Sequence, residues 1–224
     1  EPPPARAIAD GYQLLGELNA VDERNELTEV GRQLARLPLD PRLARMLLAA
    51  RDLQCLREML VITAALSLQD PRERPQGAQQ AADEAHRRFA HERSEFCSLL
   101  TLWDAMQQAL AHKKSNRSFS EQLRQQFLSP RRVREWRDVH AQLARVVAEL
   151  GWRINTSGAT YEQLHLALLT GLLGNVGCKS LEADPAERRE PPYLGARAAR
   201  FHIWPGSPLA RKAGRWVVAA ELIE

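Results

Sequence analysis

Apolar positions recur at three- and four-residue steps along most of the first 173 residues and change to short alternating runs after them. The clearest case is Ser129 to Leu150, where Val133, Trp136, His140, Leu143, Val147 and Leu150 fall on one face at about 3.6 residues per turn. Ser129 suits the N-cap and Pro130 the first helical position, where its missing N–H costs nothing. Arg131, Arg134 and Arg145 share the opposite face, with Asp138 among them and Arg137 on the flank. Two readings of that face stand: a solvated surface with Asp138 as an internal partner, or a cationic wall for something acidic.

The same periodicity predicts helices elsewhere. Residues 2–20 space Ile8, Tyr12, Leu15 and Leu18 helically. A turn-like VDERNE and a short strand-like ELTEVG follow, and Thr28 can cap a helix over Glu29–Leu37 that stops at Pro38. Helix, short strand and helix in about 40 residues fit part of a winged-helix unit, or a plain helical hairpin. Asp40–Pro41 opens another helix, carrying Leu43, Met46, Leu47 and Ala50 on one side. Cys55–Leu68 is apolar nearly all round and reads as a buried central helix. QDPRERPQG breaks the pattern and reads as a connector. Further helices are predicted over 78–91, 94–112, 119–128 and about 160–173, with KKSNRS as a basic link.

Beyond Gly174, NVGCKSLEA, YLGARAARFHIWPGS and RWVVAAELIE are β-rich, with the charged loop DPAERREPP between the first two. In ARFHIW, Phe201 and Ile203 point one way while Arg200, His202 and Trp204 point the other. The expected fold is mostly α with a small antiparallel β part beyond residue 174, which lacks the closing strand of a barrel.

A length of 224 residues suits one to three small domains, and 44% hydrophobic residues suffice for a core. No run approaches the ~18 apolar residues of a membrane helix, and no secretory signal opens the chain. EPPPARA at the start and AELIE at the end read as cuts through a longer protein. Cys55, Cys97 and Cys178 are far apart and lack metal-binding spacing, so reduced core thiols and a cytoplasmic location are expected.

The net charge of +3 is unevenly spread: residues 1–128 hold 17 Lys+Arg against 18 Asp+Glu, residues 129–224 hold 14 against 10. Of the cations, 27 are Arg and 4 are Lys, which suits bidentate phosphate contact, although a GC-rich genome also favours arginine.

No GxxxxGK[ST] phosphate loop and no DEAH-like acidic box occurs, and the six histidines are scattered. His140 and His165 sit on apolar helix faces, where a hydrogen-bonded core histidine is the expected role. No catalytic residue, metal site or cofactor of its own is expected in this chain. The functional signal is Tyr193–Trp216: 24 residues with Arg197, Arg200, Arg211, Lys212 and Arg215, no carboxylate, and Tyr193, Phe201, His202, Trp204 and Trp216 interleaved. Cations neutralise phosphates and exposed rings stack on unpaired bases. Against this, Phe201 and Trp216 can fill a barrel core and leave the arginines merely solvated.

GELNAVDERNELTEVGRQLARLPLDPRLARMLLAA resembles the winged-helix segment that follows the motor domains of DEAH-box RNA helicases. SLQDPRERP, SEFCSLLTLWDA and FLSPRRVREWRDVHAQL resemble the family's ratchet-like (HA2) region, and ALLTGLLGNVG with YLGARAARFHIWPGSPL its OB-fold. QDPRERP, RVREWRDVHAQL and GARAARF–PGS are most similar to the bacterial HrpA-type branch. The resemblance implies two RecA-like domains outside this chain that use ATP and Mg2+ to step 3′→5′ along RNA. It divides the present region into a winged-helix segment (1–40), a helical ratchet-like (HA2) bundle (41–173) and a C-terminal OB-fold-like antiparallel barrel (174–224), incomplete at its C-terminus, which together form a lid over single-stranded RNA. Carried over, Arg131, Arg134 and Arg137 line the channel, and Arg197, Arg200 and Ser207 lie near phosphates on the OB surface. His202 precedes the proline–serine turn, and Lys212 completes the set. The loop LEADPAERREPPY is longer than usual for the branch.

Partners implied are single-stranded RNA, the helicase's own RecA-like domains and a regulatory protein, with no membrane. A protein-docking module for such a regulator is the alternative function. A winged-helix DNA-binding protein is a weaker one, because VDERNE and Glu29 place acid beside Arg32 and Arg36.

Overall fold

The computed structural model describes residues 3–180, 192–210 and 212–223, and for Arg197 the backbone alone. The charged loop 181–191 and Arg211 lie outside the described residues. Two compact units emerge, each built from two separated segments: Glu1–Thr63 with Arg145–Leu173, and Ala64–Ala144 with Gly174–Glu224.

The first unit opens with α1 (Ala5–Glu17), in which no residue is buried. Val21 and Leu27 form an isolated antiparallel bridge, which is all that appears of the predicted short strand. Thr28 Oγ1 accepts from Gly31 N and starts α2 (Glu29–Leu34), shorter than predicted. A β-carbon on Gly31 would stand 2.0 Å from the Ala20 carbonyl oxygen, so glycine lets α2 lie on the preceding turn. Asp40 caps α3 (Pro41–Asp52) with Pro41 at its first position. α3 packs on α9 (Tyr161–Leu172) so closely that a Cβ on Gly171 would come within 2.4 Å of the Arg42 carbonyl oxygen. Thr170 Oγ1 donates to the Arg45 carbonyl at 3.3 Å across the same contact. α4 (Leu56–Leu66) is the predicted central helix, with Leu56, Met59, Leu60 and Ile62 fully buried.

The chain entering α9 is held by a polar knot. Glu58, only 12% exposed in its side chain, accepts from Arg57 Nη2 at 2.6 Å, Asn155 Nδ2 at 2.9 Å and Ala159 N at 3.4 Å. Asn155 also accepts from Arg57 N at 2.9 Å and donates to the Ser157 carbonyl. Burial pushes the Glu58 pKa up, but these hydrogen bonds outweigh it and hold the carboxyl below its ordinary value.

The second unit contains α5 (Gln79–Arg87), α6 (Glu95–Ala111), α7 (Asn116–Gln125) and most of α8 (Pro130–Glu149). α7 begins within the predicted basic link, because Ser115 and Ser118 make a reciprocal cap. On α8, Val133, Trp136, Leu143 and Val147 are buried as the periodicity predicted. Trp103 of α6 meets Trp136 at 5.0 Å and His140 at 4.6 Å between ring centroids.

The β part is a four-stranded antiparallel sheet in the order β3-β2-β1-β4: β1 (Val176–Lys179), β2 (Tyr193–Gly195), β3 (Arg200–Phe201) and β4 (Trp216–Val218). β3 and β4 do not pair with each other, so no barrel closes among the described residues. The Phe201 ring lies over Gly177 and Gly195, and Tyr193 Oη donates to the Gly214 carbonyl at 2.8 Å. The alternation predicted for ARFHIW holds in burial, with Phe201 and Ile203 half-buried and Arg200, His202 and Trp204 exposed. Of these six residues only Arg200 and Phe201 are strand.

Candidate nucleic-acid interface

α8 is set in place by what precedes it. The QDPRERP stretch is a strap: Pro71 O accepts from Ser129 N at 2.9 Å, Arg72 bridges Leu128, and Phe127 O accepts from Glu73 N at 2.8 Å. Arg132 Nη1 donates to the Asp70 carbonyl at 3.1 Å. Asp70 and Arg72 form an ion pair at 2.6 Å. Burial alone would raise the Asp70 pKa and lower that of Arg72, but their mutual hydrogen bonds and charges reverse both shifts, with Glu95 adding to the shift of Arg72. The expected connector is therefore a structural clasp on the start of α8.

With its apolar face buried, α8 turns Arg131 and Arg134 to solvent, Arg137 onto a half-buried flank and Asp138 among them. Arg131 Nε donates to Glu135 Oε1 at 2.8 Å, but with side chains 88% and 41% exposed this pair contributes little and can be exchanged for another anion. Arg134 has no ion-pair partner among the described residues.

On the β part, Arg200, His202 and Lys212 are exposed. Ser207 is half-buried, and its hydroxyl donates to Glu95 Oε2 at 2.7 Å while accepting from Leu209 N at 3.1 Å. That hydroxyl is engaged within the protein. The contact ties the Pro205–Ser207 turn to Glu95 at the start of α6, whose charge also favours protonated Arg72 in the clasp. Trp204 and Trp216 are 71% and 65% exposed, so Trp216 does not fill a core, whereas Phe201 covers the glycines.

The two core histidines differ. His165 meets the Tyr161 carbonyl at 2.7 Å through Nδ1 and stacks on that residue's ring at 3.7 Å. His140 is half-buried against Trp103, and burial lowers its pKa. Burial likewise pushes the Cys55 thiol up to about 11, as a buried structural thiol requires. In the first unit an open cavity of about 590 Å³ is lined by Arg36, Arg51, Trp152 and Arg153 among others, with the Arg51 guanidinium 5.1 Å over the Trp152 ring. Sequence spacing could not bring these four together, because they come from three separated segments.

No described helix is long and apolar enough to cross a membrane. Residues 12–39 match the winged-helix helicase-associated domain (HA2), and residues 40–130 the ratchet-like helicase-associated domain (HA2). The chain belongs to this helicase-associated family, the HA2 accessory region of DEAH-box RNA helicases. Within it, the whole chain is 48% identical over 229 aligned residues to the ATP-dependent RNA helicase HrpA of Escherichia coli. It is 47% identical, over 99% of its length, to the HrpA homolog of Haemophilus influenzae. The pre-mRNA-splicing factor ATP-dependent RNA helicase prp22 of Schizosaccharomyces pombe is 30% identical over the full chain. The chain spans 17% of the length of each bacterial relative and 18% of the yeast one.

Proposed function

We propose that this region grips single-stranded RNA for an ATP-dependent, 3′→5′ translocating helicase of the HrpA type. ATP and Mg2+ act in RecA-like motor domains outside the chain, in the cytoplasm. The carrying observation is the surface of the second unit. Arg131 and Arg134 on α8 and Arg200, His202 and Lys212 on the β part are all exposed within the same compact unit, where the Asp70–Arg72 clasp holds the start of α8 and Glu95 holds Ser207. Arg137 lies on the flank of the first group, and Arg197 three residues before β3. Guanidinium groups so presented would hold phosphates through charge-assisted, paired hydrogen bonds, with little sequence preference and a strong dependence on salt. The sheet would then serve as the OB-fold wall of an RNA channel.

The test is binding of an unpaired oligouridine by the full-length helicase at low salt. Arg131→Glu with Arg134→Glu, and separately Arg197→Glu with Arg200→Glu, should each weaken binding at least about tenfold. Unchanged affinity in both would overturn the proposal. The docking alternative has α1 in its favour, which buries nothing and exposes Ile8 and Tyr12. A regulator retained by the full-length protein after nuclease treatment, and lost on Tyr12→Ala, would support it.

A further inference from the structure

The register of the sheet brings four side chains into one row that their sequence positions do not suggest. Leu194 of β2 stands opposite both Arg200 of β3 and Cys178 of β1, and Cys178 stands opposite Trp216 of β4. Directly opposed residues in antiparallel strands project from the same face. Arg200, Leu194, Cys178 and Trp216 therefore cross the whole sheet in strand order, over about 14 Å at three interstrand steps of about 4.8 Å. The opposite face carries Tyr193 and Phe201, packed over Gly177 and Gly195, so that side is the sheet's own core. The row is the open side: Trp216 is 65% and Leu194 42% exposed, and Arg200 is exposed.

Leu194, half-buried Cys178 and Trp216 make a contiguous apolar row with cations at its rim, the arrangement that marks an interaction site. Its chemistry here is constrained by charge. From Tyr193 to Trp216 there is no carboxylate, and exposed Arg215 and Lys212 precede Trp216 while Arg200 closes the far end. A cationic surface around an aromatic plane suits a chain that alternates flat apolar rings with anions.

We propose that Trp216 is a stacking platform for an unpaired nucleobase, with the strand running across the row so that Leu194 meets the next nucleotide and Arg200 takes a following phosphate. This rests on the RNA-gripping function proposed above and adds to it a base-contacting position, separate from the phosphate contacts of α8.

The test uses the full-length helicase with an oligouridine and with a ribose-phosphate oligomer of the same length lacking bases. Trp216→Ala should weaken oligouridine binding about 5- to 150-fold, the range of one lost base stack, and leave the abasic oligomer unaffected. Trp216→Phe, which keeps a ring, should restore most of the loss. Arg200→Gln should weaken both oligomers. Because Trp216 is exposed, its replacement should leave the thermal midpoint unchanged. Photo-crosslinking of 4-thiouridine to wild type should map to the peptide holding Trp216. If Trp216→Ala binds oligouridine as wild type does while Arg131→Glu with Arg134→Glu weakens it, the platform is refuted and the RNA-gripping function survives. If Trp216→Phe is as defective as Trp216→Ala, or both oligomers weaken equally, stacking is refuted. If neither the Trp216 nor the α8 variants change binding, both proposals fall.

Discussion

The α3–α9 contact and the four-stranded sheet both depend on a glycine where no side chain fits, yet they are built for different ends. At Gly171 the obstacle is backbone: a Cβ would meet the Arg42 carbonyl oxygen at 2.4 Å and Met46 at 2.8 Å, in a region where Met46, Ala167 and Leu168 have no exposure. At Gly177 the obstacle is the Phe201 ring, 2.5 Å from such a Cβ and only half-buried. The helix pair has no freedom to move apart without losing its core. The sheet is thin, one ring deep on its covered side, and leaves Trp216, Leu194 and Arg200 open on the other. One region keeps the fold, and the other spends its surface on presentation.

The largest effect expected from breaking that contrast is at the knot leading into α9. Asn155→Ala removes a donor from the nearly buried Glu58 carboxylate and an acceptor from Arg57 N, and should cost about 2–3 kcal/mol in urea unfolding. Next comes Gly171→Ala, which should cost about 1–3 kcal/mol because two helices must separate. Gly177→Ala, with a similar nominal overlap, should cost less than about 1 kcal/mol, since a half-exposed ring can turn aside. Equal losses at the two glycines would erase the distinction between the regions.

The smallest effect concerns pH. Burial lowers the His140 pKa, so the folded form resists a proton that the unfolded chain accepts. Its contribution to stability should be complete above the ordinary histidine value of about 6.5 and decline as pH falls from there toward the folded value. His140→Leu should flatten that part of the stability–pH curve. A curve unchanged by the substitution would show that the Trp103 contact does not desolvate the imidazole.

Periodicity carried most of the helical architecture because burial in α8 follows one stripe per turn, while α4, apolar nearly all round, is buried on nearly every side. Thr28 and Asp40 were legible as caps because their hydroxyl and carboxylate have a local target two or three residues on. Short strands were less legible. β3 is two residues long, held by its partner Leu194 and by Phe201 over glycine, neither of which its own alternation encodes. The QDPRERP clasp reads as a connector in the sequence because prolines and a glycine mark a break in periodicity, whereas the hydrogen bonds that hold it to the start of α8 reach 54 or more positions away, from Glu73 N to Phe127 O for example. The same holds for Glu95 and Ser207, 112 positions apart, and for the row ending at Trp216. The arginine face of α8 was visible in the spacing, whereas the Arg131–Glu135 pair is an ordinary i, i+4 contact that the spacing also allowed.

The central claim, that exposed arginines on two elements of the second unit hold the phosphates of an unpaired strand, is tested most directly by salt. For full-length helicase and an oligouridine, the slope of log affinity against log salt falls by about 0.7 for each phosphate contact removed from a single strand. Arg134→Gln and Arg200→Gln should each reduce the slope by about that amount, and the double variant by about twice it. A slope identical to wild type in the double variant would contradict the account.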